Sequence, residues 1–170
     1  MKRYLVLLAF LVGCGSPEKE ETPLQTVKDF IAWYGNHYQE VTEFKFVNQV
    51  PGKNYSVNLP EMRRYFKFLR SSNYISEAYI KSQEKYFGEA MVVYKQDPVN
   101  EGPPPGFDFD IVLLTQEPDL VIDKAKDPTV ISGEIKNDKA VVKLDVYMKL
   151  QFDLTMAGGK WKIDRIKAFN

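Results

Sequence analysis

The stretch AVVKLDVYMKLQFDLTM, residues 140–156, constrains the fold more than any other part of the chain. Its even positions from Ala140 to Met156 are apolar without exception, and its odd positions are polar apart from Val141 and Tyr147. Successive side chains of a strand point to opposite faces, so a period of two predicts a half-buried β-strand. At about 3.3 Å per residue the seventeen residues would run roughly 55 Å, about three times a typical strand. Such a strand in a single-layer sheet must twist and bend strongly, and its apolar face must be covered by something else in the chain.

The cover is predicted upstream. At TPLQ, Thr22 can cap a helix, Pro23 suits the first helical position, and Gln25 stands three residues after the cap. Leu24, Val27, Ile31, Tyr34 and Tyr38 then recur at helical spacing beside Phe30, which predicts an amphipathic helix of about sixteen residues. The FKFV segment fits strand or loop. Met62, Tyr65, Phe66 and Leu69 predict a short second helix after Pro60, ended by SSN at Ser71–Asn73. Ser76 caps a third, longer helix, in which Tyr79, Tyr86, Phe87, Ala90, Met91 and Tyr94 are expected to share a face.

From Gln96 to Pro128 the character changes. Six of the ten prolines lie there, including GPPPG, around a single apolar run, IVLL. A long punctuated connection of this kind is uncommon in a compact domain and is either functional or mobile, so it is the candidate binding loop. Beyond it, TVISGEIK and KAVVKLDV flank Asn137 and Asp138, a two-residue hairpin turn, and AGG joins the long strand to KWKIDRIKAF. In this last strand Trp161 and Ile163 share one phase while Ile166 and Ala168 share the other. A bulge near Asp164 or Arg165 is needed to keep all four on one face. The fold class expected is therefore α+β, with N-terminal helices packed on a strongly bent antiparallel sheet in a half-cone.

The N-terminus speaks of location. Lys2 and Arg3 precede an apolar run, YLVLLAFLVG, too short to span a bilayer, and Gly13 precedes Cys14. Residues 1–13 are read as a signal peptide, Cys14 to Glu21 as an acidic flexible tether, and 22–170 as one α+β domain. Cys14 is the only cysteine of the chain, so no disulfide can form within it. The 23 basic and 23 acidic residues balance, and loss of Lys2 and Arg3 leaves 21 against 23. Nothing in that balance suggests a nucleic-acid binder, for which a net basic domain with a clustered stripe is expected.

Two groups of side chains could carry chemistry. Trp33, Tyr34 and His37 lie near one another on the first helix, His37 being the only histidine. A histidine acting as acid or base needs a carboxylate partner and a cavity; without them it is a packed helix-edge residue. In FDFD, Asp108 and Asp110 alternate with Phe107 and Phe109, so an extended segment would present both carboxylates on one side and both rings on the other. Paired carboxylates can bind a cation or a basic ligand, or raise one another's pKa for acid/base work, or else simply sit on an exposed loop pinned by the two phenylalanines. No spacing suits a metal, no nucleophile or phosphate-loop motif is present, and neither a catalytic residue nor a cofactor is assigned. The reading leans away from an enzyme.

LVGC, Leu11 to Cys14, closely resembles the lipobox of bacterial lipoproteins, which implies cleavage before Cys14, acylation of that cysteine and a stable membrane anchor. The element order, the long strand and the closing GGKWKIDRI resemble the nuclear-transport-factor-two-like fold, also called cystatin-like α+β. Within it, TVKDFIAWY, YFKFLRSSNYISEAYI and FDFDIVLLTQEP resemble an uncharacterised domain-of-unknown-function family of bacterial lipoproteins, over roughly residues 22–169. This fold hosts enzymes, carriers and interaction modules alike, so the resemblance implies a cell-envelope location, on the periplasmic face or the outer surface, and no site residues. Two functions stay open. One is a non-catalytic interaction module that meets an envelope protein, or a second copy of itself, through the sheet or the proline-rich loop. The other is a small-ligand binding protein, or a hydrolase or isomerase, with a pocket between the first helix and the concave sheet that Trp33, Tyr34, His37, Asp108 and Asp110 would line.

Overall fold

The computed structural model describes residues 22–170; the expected signal peptide, lipidation at Cys14 and tether fall outside the described residues. The first helix, α1, spans Pro23–Asn36, and the Thr22 hydroxyl accepts a hydrogen bond from the Gln25 amide at 3.2 Å. It is shorter than expected. The chain kinks at His37 (φ −107°, ψ 11°) and continues as α2, Tyr38–Glu43. The FKFV segment contributes β1, Val47–Asn48, paired antiparallel with β2, Ser56–Val57. Helix α3, Leu59–Ser71, begins at the Asn58 cap, and α4, Glu77–Gln96, begins with the Ser76 hydroxyl on the Tyr79 amide. The left-handed Asn73 (φ 61°) separates the two helices. Met91 departs from expectation: it is 42% exposed, because the two-residue strand β2 beside that end of α4 is too short to cover it.

After the proline-rich connection comes α5, Pro118–Lys124, and then four strands: β3 Thr129–Lys136, β4 Lys139–Asp145, β5 Lys149–Ala157 and β6 Lys160–Ala168. They form an antiparallel meander in the order β3-β4-β5-β6, so the fold is α+β. The seventeen-residue strand is not there. The alternating stretch folds back at Val146, Tyr147 and Met148, with Asp145 opposite Lys149 and Leu144 opposite Leu150. A loop with an odd number of residues places even positions opposite even positions, so the alternation passes through the turn unbroken. Tyr147 adopts φ 78°, a conformation uncommon for any residue but glycine, and its hydroxyl bonds to Glu117.

The expected bulge is present. Leu154 pairs with Ile163 and Asp153 with Arg165, which leaves Asp164 as the extra residue. Trp161 and Ile163 are buried, and Ile166 comes round to pair with the buried Phe152. The two-residue turns also match: Lys136 pairs with Lys139 around Asn137 (φ 56°), and Ala157 with Lys160 around Gly158 and Gly159, both at positive φ.

One sheet face, from Ala140, Val142 and Leu144 across Leu150, Phe152 and Leu154 to Ile163, is buried, and α1 and α4 pack against the sheet. Each large apolar side chain removed from water there contributes about 1.5–3 kcal/mol. The other face is polar, with Arg165 bridging Asp153. At the β6 edge the Tyr74–Ser76 segment closes part of the ladder, through Ser76 N–H to the Ile163 carbonyl (3.0 Å) and Ile163 N–H to the Tyr74 carbonyl (2.8 Å). At the other edge β3 is exposed along nearly its whole length. Among the described residues no helix is long and apolar enough to cross a membrane.

Asp164 has no cross-strand partner, so its deletion leaves a regular ladder with Trp161, Ile163 and Ile166 still facing the core. That variant should fold and lose no more than the Asp164–Thr155 hydrogen bond, about 0.5–1.5 kcal/mol. Deletion of Lys162 instead forces Trp161 or Ile163 out of the core and should cost at least about 2 kcal/mol. Urea denaturation of the two variants checks the contrast.

Candidate ligand pocket

Helix α1 carries Tyr34 on its core face, and Tyr38 follows one turn later across the kink at His37. Helix α3 supplies Tyr65 from the other side. Phe44 and Phe46 come from the segment between α2 and β1, their rings 5.0 and 4.8 Å from that of Tyr65. The floor is completed by the connection at residues 107–118, whose far end is held against α1 by α5. That approach depends on Gly35, where an added Cβ would lie 2.5 Å from Ile122 Cγ2. Together these groups line a pocket of about 320 Å³ that is open to solvent.

Asp110 organises the connection. Its Oδ1 accepts hydrogen bonds from the amides of Val112 (2.9 Å) and Leu113 (2.7 Å), and its backbone closes a turn with Leu114 and Thr115. Its Oδ2 accepts the Tyr34 hydroxyl at 2.8 Å, and the Tyr34 and Tyr65 hydroxyls are 3.4 Å apart. Asp108 is exposed at the rim, where the Gln116 amide approaches to 3.5 Å. The FDFD segment is bent and not extended, so the expected division into a carboxylate side and a ring side does not hold: all four side chains line the cavity.

The expected site is thus brought together in part. Tyr34, Asp108 and Asp110 meet in the cavity. Trp33 and His37 do not, because each lies one residue before Tyr34 and Tyr38, Trp33 on α1 and His37 at the kink, and faces a different way. They pack against Phe68, Trp33 tilted at 4.8 Å and His37 edge-on at 6.1 Å, and the His37 Nδ1 pairs with the Trp33 carbonyl at 2.8 Å. The cavity also lies between helices and loop, not between α1 and the sheet, whose apolar face is filled by packing. Tyr38, Tyr65, Phe44 and Phe46 were missed as lining residues, since their helical or strand-like spacing reads equally well as core.

The proline-rich half of the connection is clasped in place. The hydroxyls of Tyr55, Tyr86 and Tyr94 donate to the carbonyls of Gly102, Gly106 and Pro105, the first and last at 2.7 and 2.8 Å. Phe107 then packs 5.0 Å from Phe87 and 5.7 Å from Phe46.

Burial holds the Asp110 carboxyl above its ordinary 3.8, against the pull of its three hydrogen bonds. Burial, followed by the charge of Asp110, pushes Tyr38 up to about 12. Burial likewise raises Tyr34 and Tyr65 well above 10.0, with Asp110 among the further causes. All three phenols stay neutral at physiological pH and act as hydroxyl donors and aromatic surface. Among the described residues no ion pair includes Asp110, and no group of three or more His, Cys, Asp or Glu could hold a metal ion. The arrangement can take up a small molecule through aromatic faces and one carboxylate.

Comparison of the chain with protein-family models, with curated proteins and with solved structures finds no match in any of the three.

Asp110→Ala strands two amides and a hydroxyl, and should lower stability by about 1–3 kcal/mol. Asp110→Asn keeps an acceptor for the amides and should cost much less near neutral pH. Because the folded value is raised, the carboxyl favours the folded state below its ordinary value, and this contribution is lost as pH rises through the raised value. The stability of the parent protein relative to Asp110→Asn should therefore fall between pH 3 and pH 7, as urea midpoints across that range would report.

Proposed function

We propose that this chain is a lipid-anchored protein of the bacterial cell envelope that binds a small ligand, without transforming it, in the pocket between α1, α3 and residues 107–118. The observation that carries the proposal is the open cavity of about 320 Å³ on which the Tyr34 and Tyr65 hydroxyls and the Asp110 carboxylate converge. An interaction module calls for a filled interior, whereas a ligand binder calls for a cavity of a few hundred cubic ångströms with a few polar groups. The pocket favours the second. Both Asp110 oxygens already accept hydrogen bonds, which suits a fixed recognition group better than a base that must move a proton.

The envelope location rests on Lys2, Arg3, the apolar run and LVGC ending at Cys14, and we place the protein on the periplasmic face in preference to the outer surface. We also propose kinship with the nuclear-transport-factor-two-like fold and its uncharacterised lipoprotein family. Its support is the order of elements, helices before an antiparallel meander, together with the bulges that bend β3 and β6.

Native mass spectrometry of the protein, extracted gently with its anchor, tests the pocket. A non-covalent small-molecule adduct is expected, and it should vanish in Thr42→Trp, which blocks the cavity from an exposed lining position. A bare monomer, or an adduct retained by the variant, would count against the reading, and a stoichiometric protein partner would restore the interaction module. Cys14→Ser should abolish metabolic acyl labelling; persistent label would sink the anchor.

A further inference from the structure

We propose that the ligand is a small organic cation, an alkylammonium or quaternary ammonium group seated against the aromatic rings with Asp110 as its counter-charge. This rests on the pocket reading above and names the chemistry of its ligand. The charge of the lining is one-sided: Asp108 and Asp110 contribute carboxylates, and no lysine, arginine or histidine lines the cavity. The half-buried Asp110 carboxylate accepts three hydrogen bonds from neutral donors but makes no ion pair among the described residues, so no cation of the chain balances its charge. The cation it lacks can come from a ligand.

The rest of the lining suits such a guest. Tyr34, Tyr38, Tyr65, Phe44, Phe46 and Phe107 all face the cavity, and ring faces carry the negative part of the aromatic quadrupole. A cage of rings around a carboxylate attracts a cation that sheds water easily, which an alkylated ammonium does. A hard metal ion is less well served, since among the described residues no group of three or more His, Cys, Asp or Glu could hold one. Phe44 already takes part in one such contact, with the Arg64 guanidinium 4.4 Å from its ring centre; Arg64 itself lies outside the cavity lining. The phenols of Tyr34, Tyr38 and Tyr65 remain neutral, so the negative charge of the pocket is that of its two carboxylates.

Titration calorimetry on the full lipid-anchored chain, with choline and with its uncharged isostere 3,3-dimethyl-1-butanol, separates charge from shape. Choline should bind at least roughly tenfold more tightly than the isostere. Asp110→Asn should remove that margin, so that choline binds no more tightly than the isostere. Tyr38→Leu, at a half-buried lining position, should weaken choline alone and serves if the first variant folds poorly. Equal binding of the two probes would overturn the cation and leave the pocket reading standing. Failure of both probes at millimolar concentration would overturn the cation as well, and the adduct experiment would then judge the pocket reading independently.

Discussion

The hydrogen bond from Tyr34 to Asp110 joins residues 76 positions apart, and much of the molecule around the pocket is arranged by it. One partner is fixed on the core face of α1, which packs on the sheet. The other holds a turn of the long connection through two backbone amides. A carboxylate withdrawn from water is costly in an apolar setting, and the three hydrogen bonds it accepts offset that cost only in part, as its raised pKa reflects. The connection can therefore not slide along α1 without leaving amides and a hydroxyl unmatched.

Beneath that bond the sheet supplies a rigid base. Its buried face is continuous across three strands, and the Tyr74–Ser76 segment covers part of one edge. Gly35 lets α5 approach α1 closely, which fixes where the connection ends. The cavity thus sits above a filled core, on groups held from several elements, an arrangement that favours a preformed site over one moulded by its guest.

What the sequence discloses depends on whether a pattern has one physical cause or two. Thr22, Pro23 and Gln25 announce the start of α1 because few other conformations use those residues in that order. The phase change between Ile163 and Ile166 announces a bulge because nothing else reconciles them. Residues 140–156 mislead, since an odd-numbered turn preserves the phase of alternation and Tyr147 gives no turn signal; only the excessive length hinted at a fold-back. Helix α5 is too short to show a period. Asp108 and Asp110 stood out as a pair, and Tyr34 by its company, but the partnership between Tyr34 and Asp110 is a long-range contact that no local spacing encodes.

The clasp on the proline-rich loop decides how that loop can be observed. Pro103, Pro104 and Pro105 have carbonyls and no amide hydrogen, so the stretch is silent in amide exchange whatever its order. Its order is written instead in the phenolic protons of Tyr55, Tyr86 and Tyr94, each bonded to a loop carbonyl. Tyrosine rings just before β2 and on α4 are thus the natural reporters for a segment that cannot report on itself.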